Sequence, residues 1–177
     1  VDDADWRARA VSEIGLPAVL KTRRLGYGGK GQEVLRPGDD PVAAFEGLGS
    51  VPCLLEAFVP FDREVSLVAV RDAEGALHPY PLVENRHTEG ILVRTDAPAS
   101  DVSDAVRERA ERAVAALAED LGYVGTLAVE FFQVGDNLLA NEMAPRVHNS
   151  GHWTQDGAVT SQFENHIRAV CGMAVGP

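Results

Sequence analysis

Apolar residues along the chain change their spacing several times, and each change marks an element. Trp6, Ala10, Val11 and Ile14 recur at helical intervals, which predicts a helix over 3–14 stopped by Gly15. PAVLKT (17–22) reads as a short strand, and GQEVLR (31–36) alternates as a second after a glycine-rich break. PVAAFEGL (41–48) predicts a short helix, CLLEAFV (53–59) a third strand, and REVSLVAVR (63–71) a fourth that turns at DAEG. An extended region containing ENRHTEGILVR follows. Val106, Ala110, Ala113, Val114, Leu117 and Leu121 then share one face of a helix predicted over 101–121, with Ser100 as N-cap and Gly122 as stop. TLAVEFFQV and NLLANEM form a hairpin across Gly135-Asp136, and TSQFENHIRAV (160–170) closes the chain as a helix. This order of elements predicts an α+β fold with antiparallel sheets.

Composition narrows the class. With 177 residues and 45% hydrophobic side chains, the chain can bury a substantial core, and no apolar run reaches the roughly 18 residues of a membrane span. The polar, acidic start VDDADWRARA is unlike a signal peptide, so a cytoplasmic location without membrane partners is expected. Cys53 and Cys171 lack metal or redox spacing and are expected to be buried free thiols. A net charge of −11 argues against a nucleic-acid-binding surface, and any phosphate bound here must meet cations concentrated locally. Of the 16 basic residues only Lys21 and Lys30 are lysine, nine positions apart, one before the glycine segment and one within it.

That segment, GYGGKG (26–31), matches the spacing of a dinucleotide fingerprint, but a strand rather than a helix follows it. A Walker loop fails too, because Gly31 stands where Ser or Thr is needed. What remains is a glycine-rich flap between antiparallel strands, able to cover a triphosphate with backbone amides and two ammonium groups; a plain hairpin turn is the other reading. In the later hairpin, a three-residue loop of Gly135, Asp136 and Asn137 places Glu130 opposite Glu142, whereas a two-residue loop places Asn141 there. Facing carboxylates about 5 Å apart destabilise a sheet unless a cation lies between them, and Mg²⁺ suits such hard oxygen ligands; a solvated face is the alternative. In APRVHNSGHW, the glycine and polar residues between His148 and His152 favour a loop over a helical metal pair. Arg146, His148 and Asn149 bring a guanidinium fork, a titratable imidazole and an amide, suited to an anion beside the metal, although an ordered polar loop fits as well.

KTRRLGYGGKGQ, LLEAFVPFDREVSL, ENRHTEGI, TLAVEFF and NEMAPRVHNSGHWTQ together resemble the ATP-grasp superfamily. Within it, they resemble the carboxyaminoimidazole ribonucleotide synthases of purine biosynthesis, from about residue 12 to the C-terminus. The resemblance implies two α+β subdomains with antiparallel sheets clasping ATP: a small one over 1–57 carrying the flap, and a large one over 58–177 carrying the magnesium hairpin. It implies that Lys21 reaches the α-phosphate side, and that Gly26, Tyr27, Gly28, Gly29, Lys30, Gly31 and Gln32 cover the β- and γ-phosphates. Glu56, Ala57, Phe58 and Val59 would meet adenine, Glu64 the ribose hydroxyls, and His87 the nucleotide pocket. Glu130 and Glu142 would bind Mg²⁺, or Mn²⁺ in its place, with Asn141 and Glu142 also beside the nucleotide. Arg146, His148 and Asn149 would hold carboxyphosphate.

The implied reaction phosphorylates bicarbonate with ATP, then carboxylates the exocyclic amine of 5-aminoimidazole ribonucleotide. Members of this family commonly dimerise. They also carry N-terminal and C-terminal domains that this chain lacks, so it is read as a piece of a longer ligase holding the ATP and Mg²⁺ site. The alternatives are another ATP-grasp ligase, such as the formate-dependent glycinamide ribonucleotide transformylase or biotin carboxylase, or a non-catalytic ATP-binding module.

Overall fold

A computed structural model describes residues 6–26 and 30–177, with Trp6, Arg7 and Ala8 as backbone only. Positions 3–5 of the first expected helix, and Tyr27, Gly28 and Gly29 of the expected flap, lie outside the described residues. The chain divides into two compact units, residues 1–60 with 89–91 and residues 61–88 with 92–177.

In the first unit, helix α1 (Trp6–Ile14) precedes a three-stranded sheet of order β2-β1-β3, built from β1 (Ala18–Thr22), β2 (Gln32–Leu35) and β3 (Cys53–Ala57). Both pairings are antiparallel. Alternation in β1 turns Ala18 and Leu20 into a core with Leu35, Cys53 and Leu55, and α2 (Pro41–Gly47) closes it with Ala44 and Phe45. Helix α2 begins where Asp40 accepts the Val42 N–H and Pro41 fixes the first turn.

The second unit is a six-stranded sheet of order β7-β6-β4-β8-β9, with β5 (Leu77–Pro79) also on β4. Its long central strands are β4 (Arg63–Arg71) and β8 (Gly125–Val134), flanked by β6 (Val83–Thr88), β7 (Ile91–Asp96) and β9 (Asn137–Ala144). Odd-numbered Val65, Leu67, Ala69, Leu127, Val129 and Phe131 face helix α3 (Asp104–Asp120), which offers Val106, Ala110, Val114 and Ala118 at helical spacing. Even-numbered Val68, Val70 and Ala128 face Tyr80, Trp153 and Ala169 of α5 (Gln162–Val170). The period of two therefore assigns Glu64, Ser66 and Glu130 to the α5 side. Among the described residues, no helix is long and apolar enough to cross a membrane.

Three sequence expectations change. Helix α3 starts at Asp104 with Ser103 as N-cap, because the Ser103 hydroxyl accepts the Val106 N–H at 3.3 Å, while Asp101 at φ 52° keeps the preceding turn non-helical. Cys53 is buried as expected but Cys171 is exposed, since it follows the last turn of α5 as its C-cap, beyond the packed face. The β8–β9 connection is a two-residue turn, Val134 pairing with Asn137 and Gln133 with Leu138.

Leu127→Ala removes a fully buried side chain from the α3 face. It should lower the unfolding free energy by about 2–5 kcal/mol, whereas Val159→Ala, at a position 86% exposed, should stay within about 0.5 kcal/mol. Urea unfolding of both variants checks this contrast.

Candidate active site

The two-residue turn alone would set Asn141 opposite Glu130. A β-bulge between Glu130 and Phe131 changes that: Phe131 pairs with Ala140, Asn141 is the extra residue of β9, and Glu130 pairs with Glu142. The facing carboxylates expected from sequence are thus reached by another route. A short turn minus one residue and a bulge plus one residue restore the same register.

Glu130 is only 8% exposed, whereas Glu142 on the edge strand is exposed. Burial pushes the Glu130 carboxyl up to about 7, and the charges of Glu142 and Glu64 act in the same direction against that of His87. One ligand atom each from Glu64, His87 and Glu130 lies within 4.8 Å of the others. His87 Nδ1 is 2.7 Å from Glu64 Oε2, a close contact between an imidazole nitrogen and a carboxylate oxygen. Glu64 is the main cause holding the His87 imidazolium above its usual range, opposed by burial. The carboxylates of Glu64 and Glu130 with the His87 nitrogen are a donor group that fits a divalent cation, and register brings Glu142 opposite Glu130 on the neighbouring strand. Behind it, Asn85 Nδ2 donates to Ser66 Oγ at 2.9 Å, and Thr95 Oγ1 donates to Asn85 Oδ1 at 3.0 Å.

After β9, the segment through Pro145 brings His148 back beneath Glu130, Nε2 to Oε1 3.9 Å. Asn149–Gly151 is a single 3-10 turn and Thr154–Gly157 a short helix, α4, so His148 and His152 do not share a helix, in line with the loop reading. His148 Nδ1 accepts the Ser150 N–H at 3.3 Å and lies 2.9 Å from Ser150 Oγ. An accepting Nδ1 leaves the proton of the neutral ring on Nε2, the nitrogen nearer Glu130. Burial, helped by Arg146 and His152, lowers His148 to about 4, so the ring is neutral at neutral pH. Arg146 and Asn149 are exposed on the same segment.

In the first unit, Lys21 Nζ is 2.6 Å from Glu56 Oε2, and Lys21 pairs with Gln32 across the sheet. The ends of the glycine segment close on Thr22: its N–H donates to the Gly31 carbonyl at 2.7 Å. At Gly31 (φ +79°) a Cβ would come within 2.6 Å of Thr22 Oγ1, so only glycine fits there. Gly26 and Lys30 stand on either side of positions 27–29, Ala57 ends β3, the Phe58 N–H donates to Pro17 O at 3.1 Å, and Val59 follows. Sequence reasoning missed Ser66, Asn85 and the buried Gln162 that holds His148. No motif marks them, since their role depends on cross-strand register and on a helix N-terminus reaching a distant loop.

Opposing pH dependences meet at Glu130 and His148. The folded chain keeps the Glu130 proton up to about 7, whereas an unfolded chain releases it near 4.5, so this group's stabilisation is full at low pH and fades from 4.5 to 7. The lowered His148 does the reverse: its contribution is full above 6.5 and is lost as pH falls towards 4. Glu130→Gln should leave a melting temperature that climbs between pH 4 and 6.5, and His148→Asn one that declines between pH 4.5 and 7. Thermal melts across this range decide it, and parallel profiles for the two variants would contradict the assignment.

A family model described as the ATP-grasp domain matches residues 1–163. The N5-carboxyaminoimidazole ribonucleotide synthase of Pseudomonas aeruginosa is 58% identical over 167 residues, 94% of this chain and 46% of that protein. The crystal structure of N5-carboxyaminoimidazole ribonucleotide synthetase from Thermus thermophilus is similar at 53% identity and a TM-score of 0.90, over 99% of this chain and 47% of that one. N5-carboxyaminoimidazole synthase from Aspergillus clavatus, in complex with ADP and 5-aminoimidazole ribonucleotide, gives 27% identity and a TM-score of 0.83, over 96% of this chain and 44% of that one. The chain spans about half the length of the relatives it matches. With an antiparallel α+β architecture and a family match across most of its length, this chain belongs to the ATP-grasp family.

Proposed function

We propose that the chain is the nucleotide- and metal-binding part of a ligase that carboxylates 5-aminoimidazole ribonucleotide with bicarbonate and ATP in purine biosynthesis, a cytoplasmic activity. The observation that carries this reading is the facing of Glu130 and Glu142 across a bulged hairpin, with a neutral, buried His148 beside them. The named activity of the relatives and the nucleotides bound by one of them support it.

In the proposed reaction, bicarbonate oxygen attacks the γ-phosphorus of ATP and the bond to the β-phosphate oxygen breaks, giving carboxyphosphate and ADP. The exocyclic amine of 5-aminoimidazole ribonucleotide then attacks the carboxyl carbon, losing a proton as phosphate leaves. Glu130 and Glu142 would hold Mg²⁺, or Mn²⁺, which when bound neutralises charge on the phosphate oxygens. A cation there favours the ionised Glu130 that burial alone opposes. Arg146, exposed and permanently charged, would take an anionic oxygen, and Asn149, exposed on the same segment, would add its amide N–H groups while its Oδ1 accepts the Ser150 N–H. His148 presents Nε2–H as a neutral donor, so it can hold an anion without adding a charge that would compete with the metal.

Phosphate release from Mg-ATP by the longer ligase that contains this chain should require bicarbonate and 5-aminoimidazole ribonucleotide; a requirement for formate instead would overturn the substrate assignment. Separately from turnover, Glu142→Ala should weaken Mg-ATP binding at least tenfold, about 1.4 kcal/mol, by calorimetry. Equal binding by that variant would remove the metal role.

A further inference from the structure

Gln162 is fully buried although it carries a primary amide, and its polar atoms are spent in an unusual way. Its side-chain Oε1 accepts the His148 N–H at 3.0 Å, and its Nε2 donates to the His148 carbonyl at 2.6 Å. One amide thus brackets a single loop residue as a neighbouring strand would. Because the loop offers one donor and one acceptor, only this orientation of the amide satisfies both.

The backbone of Gln162 is tied down as tightly. It is the first residue of α5, where the helix has no internal acceptor for its N–H, and Thr154 Oγ1 accepts that N–H at 3.0 Å while donating to the Gly151 carbonyl at 2.7 Å. Thr126 Oγ1 on β8 donates to the Gln162 carbonyl at 3.1 Å. Gly151 completes the seat, since a Cβ there would fall 2.6 Å from Gln162 Oε1 and 2.8 Å from Nε2. The fixed end of α5, the strand carrying Glu130 and the turn after His148 are therefore joined through one side chain.

We propose that Gln162 is a positioning residue: by clamping both backbone polar groups of His148, it holds the loop so that the ring's Nδ1 meets Ser150 and its Nε2–H is directed to the Glu130 side. The benefit to catalysis rests on the role proposed above for His148. The clamp and the tautomer it selects stand or fall without it.

Nitrogen-15 NMR of the histidine side chains, at one fixed pH of about 8, tests this directly. In the unaltered chain His148 should show two well-separated ring nitrogens with the proton on Nε2, and its backbone amide should exchange slowly with solvent. Gln162→Met keeps the length but neither hydrogen bond. It should bring the two ring-nitrogen shifts together towards a tautomer mixture and speed exchange of the His148 amide at least tenfold, while the β4 and β8 amides keep their shifts. Gly151→Ala, which displaces the clamp without altering Gln162, should do the same. A His148 amide already exchanging at the rate of an open loop in the unaltered chain would overturn the proposal even if neither variant folds. Unchanged ring-nitrogen shifts in a folded variant would overturn it as well.

Discussion

Two glutamates meet across the β8–β9 hairpin, and the site depends on that unfavourable pairing. Antiparallel neighbours of like charge oppose one another, and Glu130 adds the cost of burial to the repulsion. The fold accommodates the strain by keeping a proton on Glu130 to about pH 7, and the same strain is what a divalent cation would relieve. The bulge at Asn141 is the device that creates the pairing, because without it the two-residue turn would bring an amide, not a carboxylate, opposite Glu130. One inserted residue on an edge strand thus sets the chemistry of the hairpin.

Much of this organisation is legible in the chain itself. Period-two runs at 63–71 and 125–134 mark the central strands, and the 3.6-residue stripe from Val106 to Leu117 marks the helix that covers one face. The Glu130–Glu142 pairing is anticipated by the sequence, but through a three-residue loop that does not exist. Turn length and bulge compensate, and both depend on cross-strand hydrogen bonding that residue types do not encode locally. The start of α3 lies three residues beyond its expected place because several serines and aspartates around 100–104 are each able to cap, and tertiary context selects Ser103. Cys171 has apolar neighbours in sequence, yet the helix ends just before it.

The supporting residues are less legible for a physical reason. Ser66, Asn85 and Thr95 are ordinary strand residues until register brings them behind Glu130, and Gln162 is an ordinary helix-start residue until α5 packs against the His148 loop. Their importance lies in satisfying polar groups that the core would otherwise leave unpaired. Charge divides between two histidines at the carboxylates: Glu64 holds His87 towards its charged form, burial keeps His148 neutral, and Arg146 is the exposed cation of the His148 loop.

Paramagnetic broadening by Mn²⁺ tests the central claim most directly, because it reports which carboxylates touch the ion. With ADP present and Mn²⁺ well below stoichiometric, the side-chain carboxyl carbon-13 resonances of both Glu130 and Glu142 should broaden before those of exposed glutamates such as Glu108 on α3. Glu130 and Glu142 broadening no earlier than Glu108 would show that the facing pair holds no metal, and the account of the site would fail.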